Sequence, residues 1–225
     1  LQASAVALRT EPVAAFRVGS RLLNTKSTAP LMQVLSLVGV NLDGTTLASY
    51  EGLAGVKITP DGLLKALGLP LSADLSVGEL NGLLVDSEIA LGPLLDVIVE
   101  LADQDHLLGV NLTLLTAIKA RLGIDDLTVR LGSDSTRRGL FAEIATASGL
   151  ADPALGVEVS ALDLLNAAVG IGTGENGLAL ALDTHGVSGL NILTDLDVGV
   201  RVIEPPSVGI GGVGARAYTG QVRVH

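Results

Sequence analysis

Cysteine is absent from the chain. That excludes disulfides, thiolate nucleophiles and Cys-ligated metals, and leaves the compartment open. Tryptophan is absent too, and aromatic residues make up 2%: Phe16, Tyr50, Phe141 and Tyr218. A core must then be built from Leu, Val, Ile and Ala, through many small contacts instead of a few large rings. Basic residues are scarce, 14 against 24 acidic, for a net charge of −10. Arg137-Arg138 is the single adjacent basic pair. With so few cations and rings, nucleic-acid binding is disfavoured, as is docking on anionic lipid. No long apolar run is present. The longest uncharged stretch, Ser27–Leu42, is too short and too polar to cross ~30 Å of hydrocarbon. The chain opens on Leu1 without a basic or apolar leader, and is expected to be a soluble piece cut from something longer.

What is present is aliphatic and glycine-rich. The chain has 225 residues, 48% of them hydrophobic, and 28 are Gly, well above the ~7% background. This length suits one well-cored domain. The last thirty residues are the most informative. From Leu190 to Val202 the even positions read Leu, Ile, Thr, Leu, Val, Val, Val, the period of a half-buried strand. Glu204-Pro205-Pro206 ends it, since proline has no N–H for a ladder. A glycine-rich turn and a second alternating run, 215–225, follow. Further strands are expected at 178–183, in 1–24 and at 45–52.

The middle, 52–170, changes character. A loose unit recurs: a short apolar strand, a cap, then a Leu-rich helix. It reads 56-VKITPDGLLKALGL-69, 75-LSVGELNGLLV-85, 88-EIALGPLLDVIVELAD-103, 110-VNLTLLTAIKARLG-123 and 157-VEVSALDLLNAAVG-170. Thr59 before Pro60, Ser76 with Glu79 and Ser160 with Asp163 have capping spacing. Leu91, Leu94, Leu95, Ile98 and Leu101 share one helical face. Gly68, Gly123 and Gly170 sit where helices end. A further helix is expected over Asp134–Ser148, closed by Gly149. The chain therefore reads as a single α+β domain, 1–225, with N-terminal strands (1–51), a helical middle (52–170) and a C-terminal β-meander (171–225). The economical arrangement is one mostly antiparallel sheet of N- and C-terminal strands, with the helical middle packed on one face.

No constellation names a reaction. Gly209-Ile-Gly211-Gly-Val-Gly214 has the GxGxxG spacing, but strand-like sequence follows where a dinucleotide site needs a helix and a later acid. The reading is a glycine-rich hairpin connection. The stretch 170-GIGTGENG-177 offers only Glu175 as a charged ligand and reads as a connecting turn. In 132-GSDSTRRG-139 hydroxyls cluster around Asp134, and N-capping by Asp134 or Ser135 is expected. His106, His185 and His225 lack metal-like spacing, and a hydrolase built on His106 or His185 has no nucleophile-elbow sequence to support it. Asp125-Asp126 and Asp195/Asp197 read as solvated carboxylates, with Arg201 placed to relieve the second pair. No catalytic, cofactor-binding or metal residue is assigned, and no cofactor is expected. Two functional readings stand beside the hydrolase. The first is a structural and interaction domain, since long alternating strands present edges to other chains. The second is a carrier in which aliphatic residues line a cavity for an apolar ligand such as lipid.

The run 201-RVIEPPSVGIGGVG-214, followed by a strand around Ala217-Tyr-Thr-Gly-Gln221-Val-Arg223, resembles the C-terminal region of TadG-like bacterial envelope proteins, associated with Tad (Flp-type) pilus assembly. Residues 13–42, 49-SYEGLAGVKITPDGLLKALGL-69 and 157–170 fit that pattern in order. The resemblance implies an N-terminal membrane anchor not in this chain and an extracytoplasmic body at the periplasm or cell surface. It implies a non-enzymatic role, assembling with itself or with other pilus and envelope proteins, and supplies no catalytic residue.

Overall fold

The computed structural model describes residues 11–16, 53, 55–102, 127–175, 180–182, 198–204, 207–218 and 221–224. In chain order these form β1 (Ala14–Phe16), β2 (Lys57–Ile58), α1 (Pro60–Ala66), α2 (Val77–Asp86), β3 (Glu88–Ala90), α3 (Leu91–Ala102) and β4 (Thr128–Arg130). They continue with α4 (Asp152–Leu155), β5 (Val159–Ser160), α5 (Ala161–Glu175), β6 (Leu180–Leu182), β7 (Val198–Glu204), β8 (Gly209–Gly211) and β9 (Gln221–Val224). The class is α+β. Among the described residues, no helix is long and apolar enough to cross a membrane. The strands expected at 1–10, 17–24 and 45–52, the unit 110–123 with Gly123, and residues 190–197 lie outside the described residues.

The local signals act as their chemistry requires. Thr59 Oγ1 accepts the Gly62 N–H at 3.2 Å, with Pro60 at the first helical position. Gly68, at φ 79°, takes the left-handed turn beyond α1 that a Cβ would strain. Ser76 and Glu79 form a full capping box: the Glu79 N–H reaches Ser76 Oγ at 3.2 Å and the Ser76 N–H reaches Glu79 Oε2 at 2.9 Å. On α3, Leu91, Leu94, Leu95 and Ile98 are fully buried, joined by Val99 and Ala102, with Leu101 partly buried.

Two of the strand–cap–helix units are related by more than composition. Val56, Ile58, Thr59, Leu63, Leu64 and Ala66 align with Val157, Val159, Ser160, Leu164, Leu165 and Ala167. Strands β2 and β5 pair antiparallel, with Ile58 opposite Val159 and Lys57 opposite Ser160. The equivalent residues Ile58 and Val159 thus face one another, and a local pseudo-twofold axis passes through that pair. The Ala161 N–H donates to Val56 O at 3.0 Å. The symmetry-related bond would need an N–H on Pro60, which has none. Helices α1 and α5 both pack on α3, and all four leucines of the aligned pairs are at most 1% exposed. The recurring pattern is therefore the buried face of a common unit.

The expected single sheet is divided into ladders: β1–β8, β2–β5, β3–β4 and the three-stranded β6–β7–β9, each antiparallel. Irregular backbone bonds join two of them. The Phe141 N–H donates to Leu131 O at 2.8 Å and the Ser133 N–H to Phe141 O at 2.9 Å. On the other side, the Ala142 N–H donates to Val208 O at 2.8 Å and the Val208 N–H to Leu140 O at 2.9 Å. The result is a continuous layer in the order β3, β4, residues 140–145, β8, β1. It joins β1 and β8 to β3, β4 and residues 140–145 of the middle, leaves β6–β7–β9 apart, and its bridges around 140–145 are parallel. The C-terminal strands form one long hairpin. Its register shifts between Val202 and Glu204, and the Ser207 N–H donates to Tyr218 O at 3.1 Å.

Two expectations are corrected. Residues 134–148 are not a helix. Asp134 binds the backbone of its own loop, Gly139 approaches Gly132 too closely for a helical path, and residues 140–145 give their backbone groups to the layer instead. Nor does 170–175 turn: α5 runs through Gly170 to Glu175. The reason is at Gly172, where a Cβ would lie 2.8 Å from Leu91 Cδ2 and 3.4 Å from Val129 Cγ2. The glycine admits a close helix approach, and packing outweighs its low helix propensity.

One side chain completes the layer. Asn81 on α2 donates Nδ2 to Ile144 O at 2.9 Å and accepts the Ile144 N–H at Oδ1 at 3.0 Å, as another strand would. Asn81→Ala is expected to lose about 2 kcal/mol in urea unfolding, two part-buried bonds at roughly 1 kcal/mol each.

Candidate functional site

The densest polar constellation lies in the loop 132-GSDSTRRG-139 and the strands beneath it. β4 delivers Arg130, whose residue is 9% exposed. Its Nη1 pairs with Asp134 Oδ2, and its buried Nε has no hydrogen-bond partner among the described residues. Asp134 Oδ1 accepts the Thr136 N–H, the Thr136 hydroxyl and the Arg137 N–H, each at 2.7 Å. The Thr136 hydroxyl first, then the two N–H groups, and last the Arg130 guanidinium hold the Asp134 carboxyl far below the usual carboxylate range. The loop is closed by the Asp134 N–H on Arg137 O at 2.9 Å. Asp134 thus caps its own turn, and no helix follows.

Below the turn sit two buried hydroxyls, Ser133 and Ser207, the latter wholly enclosed. Ser133 Oγ accepts the Gly139 N–H at 2.9 Å, donates to Phe141 O at 2.9 Å, and lies 3.3 Å from Ser207 Oγ. Above it, Arg137 Nη1 reaches Glu88 Oε1 at 3.3 Å, and the Arg138 guanidinium stacks 3.5 Å from the Tyr218 ring centroid. The loop is thereby fastened to β3, β4, the start of β8 and the returning arm of the hairpin.

Chemically this is a clamp. A serine nucleophile needs a base beside its hydroxyl, whereas among the described residues Ser133 Oγ has the Gly139 N–H and O, Phe141 O and Ser207 Oγ within hydrogen-bond distance. Among the described residues, no group of three His, Asp or Glu side chains could hold a metal. Among the described residues no helix follows the GxGxxG stretch: Gly209 and Gly211 lie within β8, and a turn follows at 213–214. His106, His185, His225, Asp125, Asp126, Asp195 and Asp197 lie outside the described residues. Arg201 sits in β7 opposite Arg223 of β9. Ser133 belongs to the hydroxyl cluster noted around Asp134, but its burial has no sequence signal, and Arg130 and Ser207 are singled out only by burial.

A second polar contact, also without local signal, joins Glu11 to the turn at 147–148. Its carboxylate accepts the Ala147 N–H and, at 3.0 Å, the Ser148 N–H. The Ala147 N–H is the main cause holding the Glu11 carboxyl below its ordinary value.

Asp134 makes stability pH-dependent with a definite sign. Its folded pKa lies below the ordinary ~3.9, so its contribution is complete above that value and is lost as pH falls toward the folded one. In urea melts against pH, Asp134→Asn is expected to be less stable than the parent at pH 7. The gap should narrow steadily below about pH 4. A gap of constant size into strong acid would mean that the carboxylate charge is not what holds the turn.

Family models, curated proteins and solved structures were all compared with the chain, and none matches.

Proposed function

We propose that the chain is a non-enzymatic structural and interaction domain, assembling with itself or with pilus-assembly partners at the bacterial cell envelope. The observation that carries this reading is how the chain disposes of its backbone and polar groups. The densest polar cluster is consumed in fastening one loop, while strands are left at the margins. In the sheet β6–β7–β9, strands β6 and β9 each pair on one side only among the described residues, and β1 borders the other layer in the same way. Such edges are templates for another chain. The packing of α5 against β7 supports the arrangement in which the helical middle covers one face of the terminal strands. The envelope placement rests on the TadG-like resemblance of 201–224.

Native mass spectrometry and sedimentation across a wide concentration range test the proposal. Oligomers that grow with concentration are expected. A strict monomer that also fails to bind pilus components removes the reading. An acyl-chain adduct on that monomer would favour the lipid carrier instead.

A further inference from the structure

We propose that Asn81-Gly82 is a covalent modification site gated by the fold. It stays closed while α2 holds it, and once the chain opens it deamidates to a product that stops the layer from re-forming. This goes beyond the assembly reading and does not depend on it.

The chemistry needs only these two residues and water. Glycine after an asparagine has no Cβ to shield its own nitrogen. The Gly82 nitrogen attacks Asn81 Cγ, so that an N–Cγ bond forms and the Cγ–Nδ2 bond breaks. The proton of the Gly82 N–H leaves with Nδ2 as ammonia. Water then opens the cyclic imide. Its hydroxyl adds at Cγ to give aspartate, or at the main-chain carbonyl carbon to give isoaspartate, and its other proton returns to the Gly82 nitrogen. Water enters and ammonia leaves, which balances the reaction without an oxidant or a cofactor. The chain holds two such pairs, Asn81-Gly82 and Asn176-Gly177. Asn176 lies outside the described residues.

The structure closes the first pair twice over. Asn81 and Gly82 lie inside α2, Val77–Asp86. Within a helix an N–H is committed to the carbonyl four residues back, and helical backbone angles turn the nitrogen from the line of attack. The side-chain amide is also held at both ends, Nδ2 on Ile144 O at 2.9 Å and Oδ1 under the Ile144 N–H at 3.0 Å. Nothing shields the pair from solvent. Gly82 is exposed, with nothing within 4 Å of a Cβ built on it. The protection is therefore conformational, and it ends when the helix opens.

The product cannot replace Asn81. A carboxylate has acceptor oxygens and no N–H, so Ile144 O loses its donor and faces a negative charge. Isoaspartate adds a backbone carbon between the buried Leu80 and Leu84 of the same helix. Ile144 belongs to the segment that joins β4 to β8, through Phe141 on Leu131 O and Ala142 on Val208 O. A reversible opening thus becomes a one-way loss of the layer.

The full chain is incubated in mildly alkaline buffer, with and without urea above its unfolding midpoint. Mass spectrometry follows the peptides that hold Asn81 and Asn176. In urea the two are expected to convert at similar rates. In native buffer Asn81 should convert at least about tenfold more slowly than in urea, since only opened molecules react. Equal Asn81 rates in the two buffers would overturn the gate. In the Gly82→Ala chain in urea, conversion at 81 should slow sharply while Asn176 keeps its rate. An unchanged rate at 81 rejects the attack by the Gly82 nitrogen. After dilution from urea, the folded fraction of the parent should be depleted of molecules converted at 81. Equal conversion in the folded and unfolded fractions would overturn the one-way loss. Asn81→Asp makes the product directly and should lower the urea midpoint or prevent folding, whereas a parent-like midpoint rejects the proposed consequence.

Discussion

Gly139→Ala is expected to destabilise the protein by about 3 kcal/mol or more, a large loss for the addition of one methyl group. A Cβ at 139 would lie 2.4 Å from both the carbonyl carbon and oxygen of Gly132. Those are backbone atoms and have no rotamer into which to retreat. Gly132 cannot yield either, since a Cβ there would meet Val85 N at 2.7 Å and Leu84 C at 2.8 Å, and its own N–H bonds Leu84 O at 2.8 Å. Loop, strand and the end of α2 are thus stacked main chain on main chain. Relief requires moving the loop, which breaks the Gly139 N–H bond to Ser133 Oγ and leaves a buried hydroxyl short of a partner. Overpacking alone commonly costs 1–3 kcal/mol, and the lost bonds add to it. Gly82→Ala supplies a control of opposite sign. It lies exposed in α2 with nothing within 4 Å of the added Cβ, and should gain up to ~1 kcal/mol from helix propensity. Denaturant melts of the two variants check both signs. Similar small changes in both would show that the Gly132–Gly139 contact is not tight.

The same contact shows why one part of the fold was legible and another was not. Thr59-Pro60, Ser76 with Glu79, and the leucines of α3 act within a turn or two of themselves, and local chemistry decides them. Residues 134–148 read as a helix because their apolar positions tolerate one. What decides them is the reach of Gly139 to Gly132 and of residues 140–145 to Val208, Ile210 and Gly212, contacts that sequence spacing does not encode. Gly170, Gly172 and Gly174 read as a turn for the converse reason. Their low propensity is visible locally, while the close approach of Leu91 that makes glycine necessary at 172 is not. The clamp around Ser133 is the extreme case: a serine looks the same in a sequence whether wholly enclosed or bathed in water. Glu11 is similar, because its partners at 147–148 come from the far end of the described helical region.

Leu165→Ala is expected to lose about 3–4 kcal/mol, and Leu64→Ala nearly as much. Both leucines are 0% exposed and occupy the same place in the two units related through the Ile58–Val159 pair. Each lies on a helix packed against α3. The chain has so few aromatic rings that its core depends on aliphatic side chains meeting across these helices. Removing three carbons from one of them takes away transfer free energy and leaves a void that neighbours fixed by glycine-close backbone contacts fill poorly. Leu165 should cost the more, because α5 is held at close range by Gly172 against Leu91 and cannot slide inward to collapse the gap. α1 is a shorter helix, Pro60–Ala66, with a free turn at Gly68, and has more room to relax. Leu150→Ala, on a side chain 50% exposed, should change stability by no more than about 0.5 kcal/mol. Urea unfolding of the three variants orders them. If Leu64→Ala alone is costly while Leu165→Ala is mild, the two units do not share one core, and the pseudo-twofold relation is a resemblance of pattern without a common packing role.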